Sequence, residues 1–176
     1  KTLGVIGLGK LGGRVAKIGQ AFGMTVLAWS TNLTEERAAE IGATRVDKAT
    51  LLREADVVTL HLILSDRSRN TITAPDLALM KPTSFIVNTS RGPLIEQSAL
   101  IAALKEGRIA GAGLDVFEQE PIQTDNPLLK MRQVLLTPHS LCWTDECFDH
   151  IAREGLGCQI AFSKGLRPSS VVSVAN

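Results

Sequence analysis

Short apolar runs alternate along this chain with longer stretches in which apolar residues recur every three or four positions. The first run, Thr2 to Ile6, reads as a strand that breaks at a glycine turn. After it, Leu11, Val15, Ile18 and Phe22 are spaced for one buried face, which predicts a helix from about Lys10 to Phe22. A second strand, Thr25 to Trp29, leads through Ser30, Thr31 and Asn32 to Thr34, whose place before Glu35, Glu36 and Arg37 suits the N-cap of a short helix. Val57 to Leu60, Phe85 to Val87, Ile109 to Leu114 and Val134 to Leu136 are further apolar runs, and amphipathic stretches around Leu51 to Glu54, Asp76 to Met80 and Gln97 to Lys105 fall between several of them. Runs of this kind suit strands covered on both faces, so the alternation predicts an α/β fold with a doubly wound, mostly parallel sheet. In such a sheet ligands sit outside the carboxyl ends of the strands, and the residues following each strand are where chemistry is to be sought.

After Pro138 the pattern changes to one long helical segment, Thr144 to Ser163, and a tail from Gly165 to Asn176 rich in Ser and Val. A length of 176 residues with 44% hydrophobic content suits one full-sized domain and falls short of two. The formal net charge of +1, with both signs mixed along the chain, leaves no basic stripe and argues against nucleic acid as a partner. No apolar run approaches the roughly 20 residues that span a bilayer, so no membrane is implied and a cytoplasmic protein is expected. Cys142, Cys147 and Cys158 form no C-x-x-C pair and are odd in number, as reduced thiols would be. The first strand begins at Thr2 with no lead-in, and residues upstream are expected.

Gly7-Leu8-Gly9-Lys10-Leu11-Gly12 matches G-x-G-x-x-G between a predicted strand and a predicted helix, the setting in which that motif signals a Rossmann-type dinucleotide site. Gly7 permits the tight turn, Gly9 lets the backbone approach a pyrophosphate, and Gly12 lets the helix lie close to the sheet. The helix N-terminus at Lys10 and Leu11 then offers N–H groups to the anion. An acid at the end of the second strand would hold the adenosine ribose of NAD, yet Ser30 stands there. A neutral Ser does not repel the 2′-phosphate of NADP, but no Arg lies within a few residues, Arg37 being a helix turn or more away; the balance tilts slightly to NAD over NADP.

Three strand-end segments carry the remaining chemistry: Asn88-Thr89-Ser90-Arg91-Gly92, Asp115-Val116-Phe117-Glu118-Gln119-Glu120-Pro121 and Thr137-Pro138-His139. Removing hydride from a carbinol carbon needs a base for the hydroxyl proton and a cation for the neighbouring carboxylate. His139 suits the first task, Glu120 is placed to orient its ring and stabilise the imidazolium, and Arg91 offers a planar fork to a 2-hydroxy or 2-oxo acid. Thr89 and Ser90 are assigned to the cofactor, and Arg91 and His139 are expected to touch it as well.

These segments, in this order and at these separations, resemble the D-isomer-specific 2-hydroxyacid dehydrogenases, which include phosphoglycerate, glycerate and formate dehydrogenases. The resemblance runs from the glycine loop to about His139. It implies that Arg91, Glu120 and His139 are catalytic, that Asp115 lies beside the nicotinamide, and that His61, in Thr59-Leu60-His61-Leu62-Ile63, lines the cofactor cleft, although Ile63 replaces the family's Pro and a core role for His61 stays open. It implies two parts: residues 1–140 as the NAD(P)-binding domain, and 141–176 as a helix and tail returning toward a substrate domain that lies outside this sequence. It implies a homodimer joined through the cofactor domain, and little or no turnover from these residues by themselves. Where the family often has small residues after the His, this chain has Ser140-Leu141-Cys142-Trp143, and Trp143 is expected to open the last helix and pack in a core. An NAD(H)-sensing interaction protein of the same family is the alternative; a Rossmann domain for another adenine ligand such as S-adenosylmethionine leaves Arg91, Glu120 and His139 without a role.

Overall fold

The computed structural model describes residues 1–140 and 142–167. Seven strands, β1 (Thr2–Ile6), β2 (Thr25–Trp29), β3 (Thr44–Arg45), β4 (Val57–Leu60), β5 (Phe85–Asn88), β6 (Gly111–Leu114) and β7 (Val134–Leu136), form one parallel sheet in the order β3-β2-β1-β4-β5-β6-β7. The helices between them are α1 (Lys10–Ala21), α2 (Glu35–Ala39), α3 (Lys48–Glu54), α4 (Ala74–Leu79) and α5 (Gln97–Lys105). The direction of winding reverses between β1 and β4, which opens the ligand crevice of a doubly wound fold at their carboxyl ends. The chain divides into two compact units, Lys1–His139 and a second that begins at Ser140 and holds α6 (Asp145–Ser163).

Alternation along the strands sorts the core into two layers. Leu3 and Val5 of β1 join Ala16, Val26, Leu33 and Ala38 on one face. Ile6 joins Leu51, Leu52, Leu77, Leu100 and Leu104 on the other. Each fully covered Leu or Ile contributes about 1.5–3 kcal/mol relative to exposure. The helix starts follow local chemistry. Thr34 accepts from the Arg37 N–H at 3.2 Å, as its position before Glu35 predicts, Asp47 accepts from Thr50, and Thr73 with Asp76 forms a reciprocal capping box.

The buried face of α1 is not the expected one. Gly12, Gly13, Ala16 and Gly19 face the sheet, whereas Leu11, Ile18 and Phe22 are exposed, Phe22 at 82%. The cause is the close approach of helix to sheet. A Cβ on Gly19 would lie 2.6 Å from Leu3 Cδ2, and one on Gly12 would overlap the Gly7 carbonyl, so the small residues turn inward and the large ones outward. Trp143 also departs from expectation, standing 63% exposed, with its N–H donating to the Ser140 carbonyl in a turn just before the α6 cap, Thr144. It meets no core because α6 buries none of its residues. Leu141, and the tail from residue 168 onward, lie outside the described residues. No helix among the described residues is long and apolar enough to cross a membrane, and Cys142, Cys147 and Cys158 are free thiols.

Candidate active site

The glycine loop leaves β1 through a turn that only glycine enters easily: Gly7 has φ +98°, its N–H donates to the Trp29 carbonyl at 2.8 Å, and a Cβ there would lie 2.8 Å from the His61 backbone. Gly9 differs in kind. Its φ of −84° and ψ of −156° are open to any residue, and a Cβ would meet nothing within 4 Å. Beyond the mild preference for glycine at a helix N-cap, the fold gives no reason for glycine at this position. A ligand whose phosphates approach the backbone at the N-terminus of α1 does, and that helix start carries no side-chain cap to compete for its N–H groups. The loop thus fits the pyrophosphate of a dinucleotide.

Two cavities flank the loop. One, of about 700 Å³, includes Gly7, Gly9, Trp29, Ser30, Arg37 and Arg67 in its lining. The other, of about 380 Å³, includes Leu11, Ile63, Thr89, Ser90 and Arg91. His61, Leu62 and Ile63 line both, which places His61 at their junction, half-buried, with Nε2 3.0 Å from the Thr59 hydroxyl. Burial pushes the His61 pKa down, so the ring is neutral at pH 7 and adds no charge to the cleft. Arg37 reaches the same cavity as Ser30 because the turn closed by Leu33 N–H to the Ser30 carbonyl, at 3.2 Å, folds the start of α2 back toward β2. Chain separation had hidden that proximity. Lys10 and Gly12 line neither cavity; Lys10 is exposed and Gly12 is packed beneath the loop.

Asn88, 1% exposed at the end of β5, organises the arginine loop. Its Nδ2 donates to the Arg91 carbonyl at 2.9 Å and its Oδ1 accepts from the Ser90 N–H at 3.1 Å, while the Ser90 hydroxyl ties the loop to the Leu60 carbonyl at 2.8 Å. The Arg91 side chain is exposed, donating from Nη1 to the Ser90 carbonyl at 2.6 Å. Beside it the chain crosses the segment that follows β6: a Cβ on Gly92 would overlap the Phe117 carbonyl and lie 2.5 Å from the Glu118 nitrogen. That crossing brings the Arg91 charge within range of Glu120.

Glu120 uses both oxygens. Oε1 accepts from the Phe117 N–H at 3.0 Å, and Oε2 lies 2.7 Å from His139 Nδ1. Burial opposes ionisation of this carboxyl, but the His139 and Phe117 hydrogen bonds and the charges of His139 and Arg91 outweigh it and hold the pKa below the ordinary value. The carboxylate therefore stays ionised at neutral pH and accepts the Nδ1 proton of His139, which assigns the tautomer and leaves Nε2 as the exchangeable position. His139 has φ +54°, a left-handed conformation that costs a non-glycine residue on the order of 1 kcal/mol, and its side chain stays 42% exposed. Asp115, 3% exposed, accepts from the Thr137 hydroxyl at 2.5 Å, joining the second and third strand-end segments. Asn88, Gly92 and Thr137 do structural work at this site that a search for ionisable residues passes over, although a polar residue closing an apolar strand signals Asn88.

The lowered Glu120 pKa carries a sign. A carboxyl held below its unfolded value stabilises the fold above that value, and the contribution is lost as pH falls through the folded value. Its removal should also act on the ring. In Glu120→Gln the ring loses the carboxylate that orients it at 2.7 Å and balances its charged form. A hydrogen bond to a charged group contributes about 1.5–3 kcal/mol, so kcat should fall roughly ten- to a hundred-fold. An unchanged kcat contradicts the pairing.

Residues 1–140 match the family described as D-isomer specific 2-hydroxyacid dehydrogenase, NAD binding domain. The chain is 42% identical over 173 residues to a glyoxylate reductase of Aeropyrum pernix, covering 98% of this chain and 52% of that protein. It is 45% identical over 152 residues to a D-3-phosphoglycerate dehydrogenase of Synechocystis, covering 86% of this chain and 27% of that one. Among solved structures, D-lactate dehydrogenase with NAD+ from Lactobacillus jensenii superposes with a TM-score of 0.86 at 35% identity, over 98% of this chain and 56% of the other. The chain thus spans about half the length of the reductases it resembles.

Proposed function

This chain belongs to the D-isomer specific 2-hydroxyacid dehydrogenase family, of which it is the NAD-binding domain, and from that premise we propose that its protein interconverts a small D-2-hydroxy acid and the corresponding 2-oxo acid. The observation that carries this reading is the His139–Glu120 pair, 2.7 Å apart at a strand end shared with Arg91 and the glycine loop. When bound, the nicotinamide ring gives or takes the hydride. The chain's residues do the rest. Arg91 holds the substrate carboxylate through its guanidinium fork. In oxidation His139 Nε2 takes the hydroxyl proton as the carbonyl forms, and in reduction it returns that proton to the new alkoxide oxygen. Glu120 keeps the ring oriented and stabilises its charged form. Gly7, Gly9, Lys10 and Leu11 receive the pyrophosphate over Gly12, which lets α1 lie close beneath the loop; Ser30 and His61 flank the adenosine half, and Thr89, Ser90 and Asp115 border the nicotinamide half. The family is an NAD-binding one, and Ser30 in place of an acid at the end of β2 also admits NADP.

The intact pair favours an enzyme over an NAD(H)-sensing interaction protein. We extend the proposal to a homodimer joined through this domain and, from the three free thiols, to a cytoplasmic location. Glyoxylate and hydroxypyruvate, each offered with NADH or NADPH to the complete protein, test the reading. Steady turnover of either acid is the expected result; retained dinucleotide binding with no turnover of any 2-oxo acid would sink the enzyme and leave the sensor.

A further inference from the structure

Resting on the dinucleotide reading, we propose that the cleft beside Ser30 takes a 2′-phosphate on the adenosine ribose, clamped by Arg37 and Arg67, so that NADP(H) is bound more tightly than NAD(H). Both arginines line the cavity that contains Ser30, Gly7 and Gly9, and they reach it from different parts of the fold, Arg37 from α2 and Arg67 from the segment after β4. No Asp or Glu lines that cavity. A carboxylate at the end of β2 would hold a ribose diol and repel a phosphate; Ser30 does neither, and its hydroxyl remains a donor.

Several polar groups around this point are uncommitted. Among the described residues Arg67 makes no ion pair, and the side chains of Ser30, Thr31 and Asn32 make no hydrogen bond within the protein. Arg37 pairs with Glu40 at 2.6 Å, but both partners are more than half exposed, and such a pair exchanges readily for a stronger anion. Of the other acids close in sequence, Glu35 faces Arg45 at 3.8 Å, and Glu36 and Asp66 do not line the cavity. A phosphate monoester carries close to two negative charges and three acceptor oxygens, which two guanidinium forks match better than they match a neutral hydroxyl.

The test is separate titration of NADPH and NADH into the protein, with the Arg37→Gln/Arg67→Gln double variant beside it. NADPH should bind about ten-fold or more tighter than NADH, and the double variant should lower NADPH affinity roughly ten- to a hundred-fold while lowering NADH affinity far less, because the lost contacts are charge-assisted ones to the phosphate. The NADPH advantage should also shrink as salt rises. Equal or tighter binding of NADH overturns the clamp, and so does an NADPH preference that survives the double variant. Failure of both dinucleotides to bind would instead overturn the cofactor reading on which the clamp rests.

Discussion

Replacing Gly92 with alanine should lower the midpoint of thermal unfolding by roughly 6–12 °C, the size expected for an overpacking cost of about 3 kcal/mol in a domain of this length. The added methyl would overlap the Phe117 carbonyl and press on the Glu118 nitrogen, both backbone atoms, so no side-chain rotation relieves it. Relief requires the Arg91 loop and the segment after β6 to separate. That movement takes Arg91 away from Glu120, whose low pKa depends partly on the arginine charge. Activity should therefore fall with stability. Gly9→Ala is the matched control: its Cβ meets nothing within 4 Å and its backbone is extended, so its melting point should stay at the wild-type value. A Gly92→Ala protein that melts with wild type would show that the two loops do not cross as closely as described.

Much of this arrangement was legible in the sequence. Six of the seven strands follow from apolar runs; the central ones are covered on both faces and have few polar positions to blur them, while β7 keeps an apolar sequence although Leu135 is exposed. The seventh, Thr44–Arg45, is two exposed residues at the sheet edge, and nothing in their composition announces a strand. Residue order located Arg91, Glu120 and His139 at strand ends, but could not say that Glu120 spends its second oxygen on the Phe117 N–H, or that Gly92 marks a crossing of two loops. The face of α1 was misread for a physical reason. Hydrophobic periodicity finds the side on which large apolar residues lie, whereas this helix is held by the absence of side chains at Gly12, Gly13 and Gly19. Likewise Arg37 sits a helix turn from Ser30 in sequence yet lines the same cavity, since a turn folds the chain between them.

His139→Asn should abolish most turnover in the complete protein, lowering kcat by about 10²–10⁴-fold, the usual contribution of a positioned acid–base group. Asparagine suits the position structurally. It tolerates the φ of +54° that His139 adopts, and its amide can still donate to Glu120, so the fold should survive. What it lacks is a group that takes up and returns a proton at the place of Nε2. Dinucleotide affinity should change little, because His139 lies outside both cavities beside the glycine loop. Turnover above about a tenth of wild type would remove His139 from the proton path.

The loop after β1 is proposed to receive a dinucleotide, and Trp29, which lines the cavity next to it, supplies a fluorescence signal for binding. Titration of NADH and NADPH into wild type and Gly9→Val tests that claim most directly. Saturable binding in wild type, abolished in a Gly9→Val protein whose melting point is unchanged, is the predicted result. Binding to Gly9→Val as tight as to wild type, or no binding of either dinucleotide to wild type, would contradict it.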